Sequence, residues 1–453
     1  MLPCATTEVA VGLEIVVGLG VLAILLVVVV SAAGMVMGMA RESVARADLA
    51  DAMASGALPP SLHPRVDVGK CMGSGTCVDA CPENDVLAVI DGRAHVVNPT
   101  ACIGHGECLR ACPVDAITLV LGNDQRGVDI PFVDKAFQTN VPGLYVVGEL
   151  GGMGLIYNAT TQALQCMEAL LPSLPPASDG VKQVVIVGAG PAGLAASLKA
   201  MEAGLDFLTV DQESLGGTVL QFPRHKLVMT KPVVLPLYGP LKIGEIRKEE
   251  LLEIWRDIVA KTGLQVMEET RVLGVTPLED GTFEVALQGA KPVRTHRVVL
   301  AMGRRGTPRK LGVAGEALGK VVYRLLEPER YAGTRTLVVG GGDSALEAAV
   351  ALAEAGAEVT LSYRGDDFGR AKKKNRTKIE AAIEGGKVRF LPNSQLVFIS
   401  DDDVNLTTPE GPLELPNDYV LVFAGGVLPT KFLTEAGVQV DTYTGQAYAP
   451  ANR

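Results

Sequence analysis

Ile15 to Ala40 is apolar or small at every position and carries no charge, with Leu22 to Val30 at its centre. About 26 residues rising roughly 1.5 Å each can cross a bilayer, so the stretch predicts one N-terminal transmembrane helix. Beyond it the apolar positions fall into short runs. Val86–Ile90 and Ala116–Val120 read as two small strands. Val184–Val187 is a β-branched run of the kind buried in a parallel sheet. An Ala- and Leu-rich helical stretch follows to Gly204, then a second strand, Phe207–Val210. Lys248–Lys261 has helical periodicity around Leu251, Leu252, Ile254 and Trp255. Strand, helix and strand recur at Leu337–Val339, Leu346–Gly356 and Glu358–Arg364. The pattern predicts an α/β chain with two parallel-sheet units, a small α+β unit ahead of them and one membrane helix.

The turns between strand and helix carry the chemistry. Gly188-Ala189-Gly190-Pro191-Ala192-Gly193 joins the first strand to its helix, and Asp211 ends the next strand. This is a dinucleotide fingerprint in full context. Gly188 makes the tight turn, and Gly190 lets the backbone approach a pyrophosphate at the helix N-terminus. Gly193 allows close helix–strand packing, and Asp211 stands where an acid binds ribose hydroxyls. The second turn, Gly340-Gly341-Gly342-Asp343-Ser344-Ala345, repeats the arrangement, with Gly340, Gly342, Ser344 and Ala345 the candidate contacts. Its second strand ends in Arg364 rather than an acid, and Arg370 follows. Arginine there suits a 2′-phosphate, so NADPH is expected, with NADH the alternative. Lys373 and Lys374 read as a solvated face. Lys plus Arg number 41 against 51 Asp plus Glu, a net charge of -10, which argues against a nucleic-acid partner.

Six of the eight cysteines lie between Cys71 and Cys112, and each set of three ends in Cys-Pro. A disulfide framework would spread them more evenly. Cys71-x2-Ser74-x2-Cys77-x3-Cys81-Pro82 is echoed by Cys102-x2-His105-x2-Cys108-x3-Cys112-Pro113. Over Pro64–Gly122 the chain resembles a bacterial two-cluster ferredoxin, whose motif is C-x2-C-x2-C-x3-C-P and whose fourth cysteine ligates the other cluster. The resemblance implies one cluster on Cys71, Cys77 and Cys112, and another on Cys102, Cys108 and Cys81. Each lacks one thiolate. The vacant corner leaves 3Fe-4S, or 4Fe-4S if His105 or Ser74 fills it, with 4Fe-4S favoured at His105. A ferredoxin scaffold without metal and a zinc site are the plain alternatives.

Phe137 to Glu149, including Pro142-Gly143-Leu144-Tyr145-Val146-Val147-Gly148-Glu149, resembles the last FAD-binding segment of thioredoxin-reductase-like flavoproteins. The resemblance implies Gly148 and Glu149 beside the flavin, with Glu149 where the family has Asp. It also implies that Thr161, Gln162 and Ala163 open a helix aimed at the flavin pyrimidine. In the family this segment closes the chain; here it precedes the fingerprint, which implies circular permutation. With both Gly-rich turns, residues Gly127–Arg453 resemble the two-dinucleotide-binding-domain flavoproteins, thioredoxin reductase and bacillithiol-disulfide reductase among them. Two nested Rossmann-like domains follow from that resemblance. The family's thioredoxin reductases use a CxxC beside the flavin, and this sequence contains no CxxC. Cys166 reads as a helix-core residue, and Cys4 precedes the membrane stretch.

The expected order is an anchor over 1–40, a tether over 41–60 and a ferredoxin-like domain over 61–122. The permuted FAD segment (123–171), a linker (172–182) and the FAD domain (183–310) come next. An NAD(P)H domain (311–415) and a closing FAD segment (416–453) complete the chain. The expected function is a membrane-anchored oxidoreductase passing electrons from NADPH through FAD and two iron–sulfur clusters to a membrane acceptor, a quinone or a cytochrome subunit, or the reverse. No proton-shuttling residue is expected. The rivals are a subunit of a larger respiratory complex and a small-molecule or disulfide reductase with a structural ferredoxin domain. Arg41 and Arg46 follow the apolar stretch while Glu8 and Glu14 precede it or open it. The positive-inside rule then places the N-terminus outside a bacterial inner membrane and the other domains in the cytoplasm. A homodimer is left open.

Overall fold

A computed structural model describes residues 6–448 apart from 57–58, 60–61, 84, 124–126, 152–153, 223, 225, 230 and 305–306. Cys4 and Arg126 therefore lie outside the described residues. The first helix, α1, spans Thr6–Ala54. The large apolar side chains from Leu25 to Met39 are all exposed, and among the described residues nothing covers them. The stretch read as a tether is helical to Ala54, because Arg41–Ala54 is Ala-rich and holds no Gly or Pro. Glu42 and Arg46 pair across one turn at 2.7 Å, and left-handed Gly56 (φ 59°) follows the helix end.

Strands β1 (His63–Val66) and β4 (Ile117–Leu121) run antiparallel. Between them lie the short helix α2 (Thr76–Asp79), the hairpin β2 (Leu87–Ile90) with β3 (Arg93–Val96), and the short helix α3 (Glu107–Arg110). This α+β unit has its own core, in which Leu62, Val86, Ile117 and Leu121 enclose the cysteines.

The next unit begins at β5 (Val128–Pro131), β6 (Leu144–Val146) and helix α4 (Ile156–Leu170). It continues through β7 (Val181–Val187), α5 (Pro191–Glu202), β8 (Phe207–Val210) and α6 (Lys248–Thr262). Strand Val293–Leu300 lies parallel to β7 on one side and to β6 on the other, with Leu144, Tyr145 and Val146 opposite Val298, Val299 and Leu300. The segment ahead of the fingerprint is therefore part of the same sheet. Val184, Ile186, Leu198, Met167, Leu170 and Ile258 are fully buried and fill the space between sheet and helices. Their burial at roughly 1.5–3 kcal/mol per large side chain is what fastens α4 to α5.

The second nucleotide-type unit has a five-stranded sheet, all parallel. Its order is Val321–Val322, Tyr419–Val422, Arg335–Val339, Glu358–Ser362 and Val388–Leu391. Helices α7 (Asp343–Glu354) and α8 (Lys373–Glu384) cover one face, and a three-stranded antiparallel sheet covers the other. Tyr419–Val422, expected in the closing FAD segment, belongs to this sheet instead. Val420, Leu421 and Val422 are buried, and a strand apolar on both sides belongs inside a parallel sheet. The chain returns to the first unit only at α9 (Thr430–Glu435), where Leu433, Ala436 and Val438 join its core.

The C-terminal strands bind the units together. Val440–Tyr443 pairs with β5, and Gln446–Ala447 adds a third strand to the β1–β4 sheet. Tyr443 and Tyr448 meet edge to face, with centroids 5.5 Å apart, against the small unit's core.

Candidate redox site

The first Gly-rich turn has the geometry its sequence implies. Gly188 is left-handed (φ 108°), and a Cβ there would lie 2.5 Å from the Ala301 carbonyl oxygen. Gly193 leaves no room for a Cβ against the Gly188 carbonyl. Gly190 is the N-cap of α5 and is open except for Gly217, whose Cα would lie 3.8 Å from an added Cβ. The turn thus offers a backbone cradle ahead of a twelve-residue helix. Gly216 donates to the Ala189 carbonyl at 3.1 Å and so brings Gly217 across the turn. Gly216 and Gly217 thus belong to the turn, and two adjacent glycines soon after the acid are their signal in the sequence.

Asp211 is buried, and its carboxylate accepts the N–H groups of Ala189 (2.5 Å) and Glu213 (2.8 Å). Burial outweighs these two bonds and pushes its carboxyl above the usual range. Asp211 therefore shapes the fingerprint turn.

Gly148 lies against this turn from the other side. It is left-handed (φ 78°), and a Cβ there would sit 3.2 Å from Ala192 and 3.6 Å from Ala159. Gly148 donates to Gln162 Oε1 at 3.0 Å, which makes Gln162 a strut within the segment. Glu149 is half-buried, its carboxylate lying against Gly154. The expectation that Thr161, Gln162 and Ala163 open the helix is corrected. Helix α4 opens at Ile156, so Ala163 lies within it, fully buried, with its N–H inside the helical ladder. The free N–H groups belong to the turn beginning at Ile156. The Gly-rich run Gly151–Gly154 just before it was the signal in the sequence.

In the second turn Gly340 is left-handed (φ 145°) and closes on the Phe423 carbonyl, while Ala345 packs beneath it. Gly342 caps α7 and is open, and Ser344 is exposed beside it. Tyr363, passed over in the sequence, lays its ring across Gly341 and Gly365. Asp343 accepts the Lys372 N–H (2.9 Å) and Asn375 Nδ2 (2.7 Å), tying the segment after Arg370 to the turn. Arg364 and Arg370 are exposed, and among the described residues neither has an ion-pair partner. Arg364, two residues past the end of this strand, and Arg370 further along are each of a chemistry that fits a phosphate.

The cysteines form two neighbouring sets. The Cys77 thiol is pushed up by burial and by Cys71 and Cys112 beside it. Cys102, raised to about 11, and Cys108, raised to about 12, are shifted chiefly by burial and also feel Cys81. Cys81, Cys102, Cys108 and His105 line one cavity together with Pro82, Gly104 and Glu107. Burial, then Lys231, lowers the His105 pKa, which keeps an imidazole neutral and able to ligate. Ser74 is bound to Thr76 (3.1 Å), which donates to the Ala111 carbonyl. None of the described cysteines is in a disulfide. Among the described residues no three His, Cys, Asp or Glu side chains converge on a single-ion site. Gly73, Gly75, Gly104 and Gly106 are all left-handed, which bends each loop around its thiols.

Comparison with known proteins agrees with this geometry. The pyridine nucleotide-disulphide oxidoreductase family matches residues 185–452, and a 4Fe-4S dicluster domain matches residues 63–113. The chain is 27% identical over 272 residues to bacilliredoxin reductase Bdr of Bacillus subtilis, covering 59% of this chain and 84% of that one. It is 30% identical over 253 residues to a ferredoxin–NADP reductase of Ignicoccus hospitalis, covering 54% and 77%. The solved bacillithiol disulfide reductase Bdr of Staphylococcus aureus is 25% identical with a TM-score of 0.50, covering 57% of this chain and 81% of that one. A Gly-rich turn at each nucleotide fold, and paired thiol sets ahead of them, thus coincide with the matched regions, and the chain belongs to the pyridine nucleotide-disulphide oxidoreductase family, carrying a 4Fe-4S dicluster domain in front of the flavoprotein fold.

Proposed function

We propose that the chain is a membrane-anchored NADPH oxidoreductase that passes electrons through FAD and two iron–sulfur clusters to an acceptor in the membrane. The observation that carries this reading is the way the thiol-bearing unit is built into the flavoprotein fold. Gln446–Ala447 completes its sheet, Val440–Tyr443 pairs with β5, and Lys231 of the flavin fold meets Glu107 at 2.6 Å. A domain held this firmly is placed for electron transfer rather than tethered nearby. The family's other outlet is a redox-active disulfide. Cys166 does not supply one, because it is completely buried and burial pushes its thiol far up.

The residues fit the absent groups. Gly188, Gly190, Gly193, Gly217, Gly148 and the opening of α4 would hold FAD. Gly340, Gly342, Ser344, Arg364 and Arg370 would hold NADPH, with Ala345 packing under the turn. The two cysteine sets would hold the clusters, His105 serving as a fourth ligand in the second. When bound, nicotinamide supplies a hydride, flavin takes the pair, and clusters accept one electron each. The domain reading adopted is the permuted one, with 123–171 supplying what the family places last. The apolar half of α1 supports the anchor: its large apolar side chains from Leu25 to Met39 are exposed, and its docked half continues without a break.

The test is an anaerobic titration of the full-length protein with NADPH, followed by absorbance and EPR. Flavin bleaching followed by cluster signals is expected. Bleaching with no cluster signal, where dithionite does produce one, would leave a reductase with a structural ferredoxin unit. Membranes washed in alkaline carbonate should retain the chain, and release into the wash would remove the anchor from the proposal.

A further inference from the structure

The two thiol sets face different neighbours. Resting on the electron path proposed above, we infer that they act in a fixed order: the set of Cys81, Cys102 and Cys108 with His105 receives electrons from the flavin, and the set of Cys71, Cys77 and Cys112 delivers them at the membrane.

The His105 set lies on the flavin side. Glu107, next to Cys108, binds Lys231 at 2.6 Å. Lys231 also sits 5.9 Å from the ring of Tyr157, in the opening turn of α4. Leu119 lines the His105 cavity and accepts the Tyr448 N–H at 2.9 Å. The Tyr448 hydroxyl donates to the Gly151 carbonyl at 2.9 Å, within the segment that follows Gly148. Two short routes thus join this cavity to the flavin-binding segment.

The Cys71 set lies on the membrane side. The Ala94 N–H points at Cys71 Sγ (3.3 Å), and Arg93 donates to the Cys71 carbonyl. The same hairpin grips α1: Asp91 pairs with Arg46, and its N–H donates to Glu42 at 3.0 Å. Ile90 and Val97 bury Ala45, with Leu49 alongside. Glu42 is two residues past Ala40, where the apolar stretch ends. At roughly 1.5 Å per residue, the hairpin meets α1 within about one turn of the membrane edge. The anchor is also held against the NAD(P)H unit by Lys373–Asp48 (2.5 Å) and Arg376–Asp51 (2.8 Å), so the hairpin stays at that height. The Thr76 hydroxyl, at the start of α2 with Cys77, donates at 2.8 Å to the carbonyl of Ala111, the residue that ends α3 with Cys108, so the two sets adjoin. The acceptor class is a lipid-soluble quinone. One NADPH gives up a hydride to the flavin and becomes NADP⁺; as the flavin is reoxidised the hydride's two electrons pass singly through both sets and its proton is released, so that turning one quinone into its quinol takes two protons at the acceptor and a net one from solvent.

The test uses the full-length protein in detergent or vesicles. Ser74→Cys and His105→Cys each add a fourth thiolate to one set, so the EPR signal each alters identifies that set. In Cys108→Ala, NADPH should still bleach the flavin but no longer produce the Cys71-set signal, while dithionite still produces it. Lys231→Glu, which touches no thiol, should slow NADPH-driven appearance of both signals and leave dithionite reduction unchanged. An undiminished rate of Cys71-set reduction by NADPH in Cys108→Ala, or unaltered rates in Lys231→Glu, overturns the order. If NADPH reduces neither set in the wild-type protein, the electron path itself fails, which is a different result.

Discussion

Gly148→Ala probes the joint between the segment ahead of the fingerprint and the fingerprint itself. Two costs are expected. Gly148 has φ 78°, and an L-residue held left-handed costs roughly 1–2 kcal/mol. The new methyl would also stand 3.2 Å from Ala192 Cβ and 3.6 Å from Ala159 Cβ, between two buried helices. Overpacking a tight site costs about 1–3 kcal/mol, and a single methyl with one close neighbour belongs at the low end. The sum is about 2–3 kcal/mol. Gly180→Ala is the control, because Gly180 is equally left-handed (φ 75°) but has nothing within 4 Å of an added Cβ. It should cost about 1–2 kcal/mol from backbone strain alone. At roughly 2–4 °C per kcal/mol for a unit of this size, Gly148→Ala should melt about 4–12 °C below wild type and Gly180→Ala about 2–8 °C below. The assay is thermal release of FAD followed by flavin fluorescence, which reports this fold and not the others. Gly148→Ala should also weaken FAD retention at a fixed temperature, and Gly180→Ala should not. Equal melting and equal FAD retention in the two variants would refute the placement of Gly148 against the nucleotide turn.

Arg364→Ala should raise the KM for NADPH about tenfold or more and leave that for NADH nearly unchanged, since a charged hydrogen bond contributes roughly 1.5–3 kcal/mol; equal effects in steady-state assays with both nucleotides would show that Arg364 does not read the phosphate. Anaerobically prepared protein should contain at least about six irons per chain if both thiol sets are loaded, and His105→Ala should convert one cluster's EPR signature while leaving the other; an unchanged spectrum would remove His105 from the ligands. The guanidinium of Arg335, which bonds Asp418 at 2.6 Å, holds that carboxyl at about 2, below its ordinary 3.8. Because the folded-state value is depressed, the stabilisation is present above pH 3.8 and is lost as pH falls from 3.8 towards 2. Asp418→Asn should flatten that part of the unfolding-versus-pH curve, and identical curves would contradict the pairing.

Short-range signals were legible in the sequence because their chemistry is encoded at fixed spacing. Gly188, Gly190 and Gly193 sit between a strand and a helix in the chain, so their spacing alone marks the turn, and the clash that excludes a side chain at Gly193 is with Gly188 itself. The cysteines of each loop are likewise spaced by the loop's own left-handed glycines. An uncharged stretch ending at Ala40 is visible at sight. What the chain could not display locally was pairing across distance. Val420–Val422 is an apolar β-branched strand that could have joined either sheet, and only its register beside Arg335–Val339 decides the question. Ala163 lies on the same continuous helical pattern as Ile156, so the true helix opening depends on where the Gly-rich run releases the chain. Glu42, Arg46, Asp48 and Asp51 look like the solvated charges of a tether, yet they bind Asp91, Lys373 and Arg376. The C-terminal strands had no local signature of their destination, because a strand's own residues set its faces and not its neighbour. The sequence by itself therefore determined which groups could be bound; the tertiary structure decided which thiol set faces the flavin fold and which faces the anchor, because that depends on contacts between segments far apart in the chain.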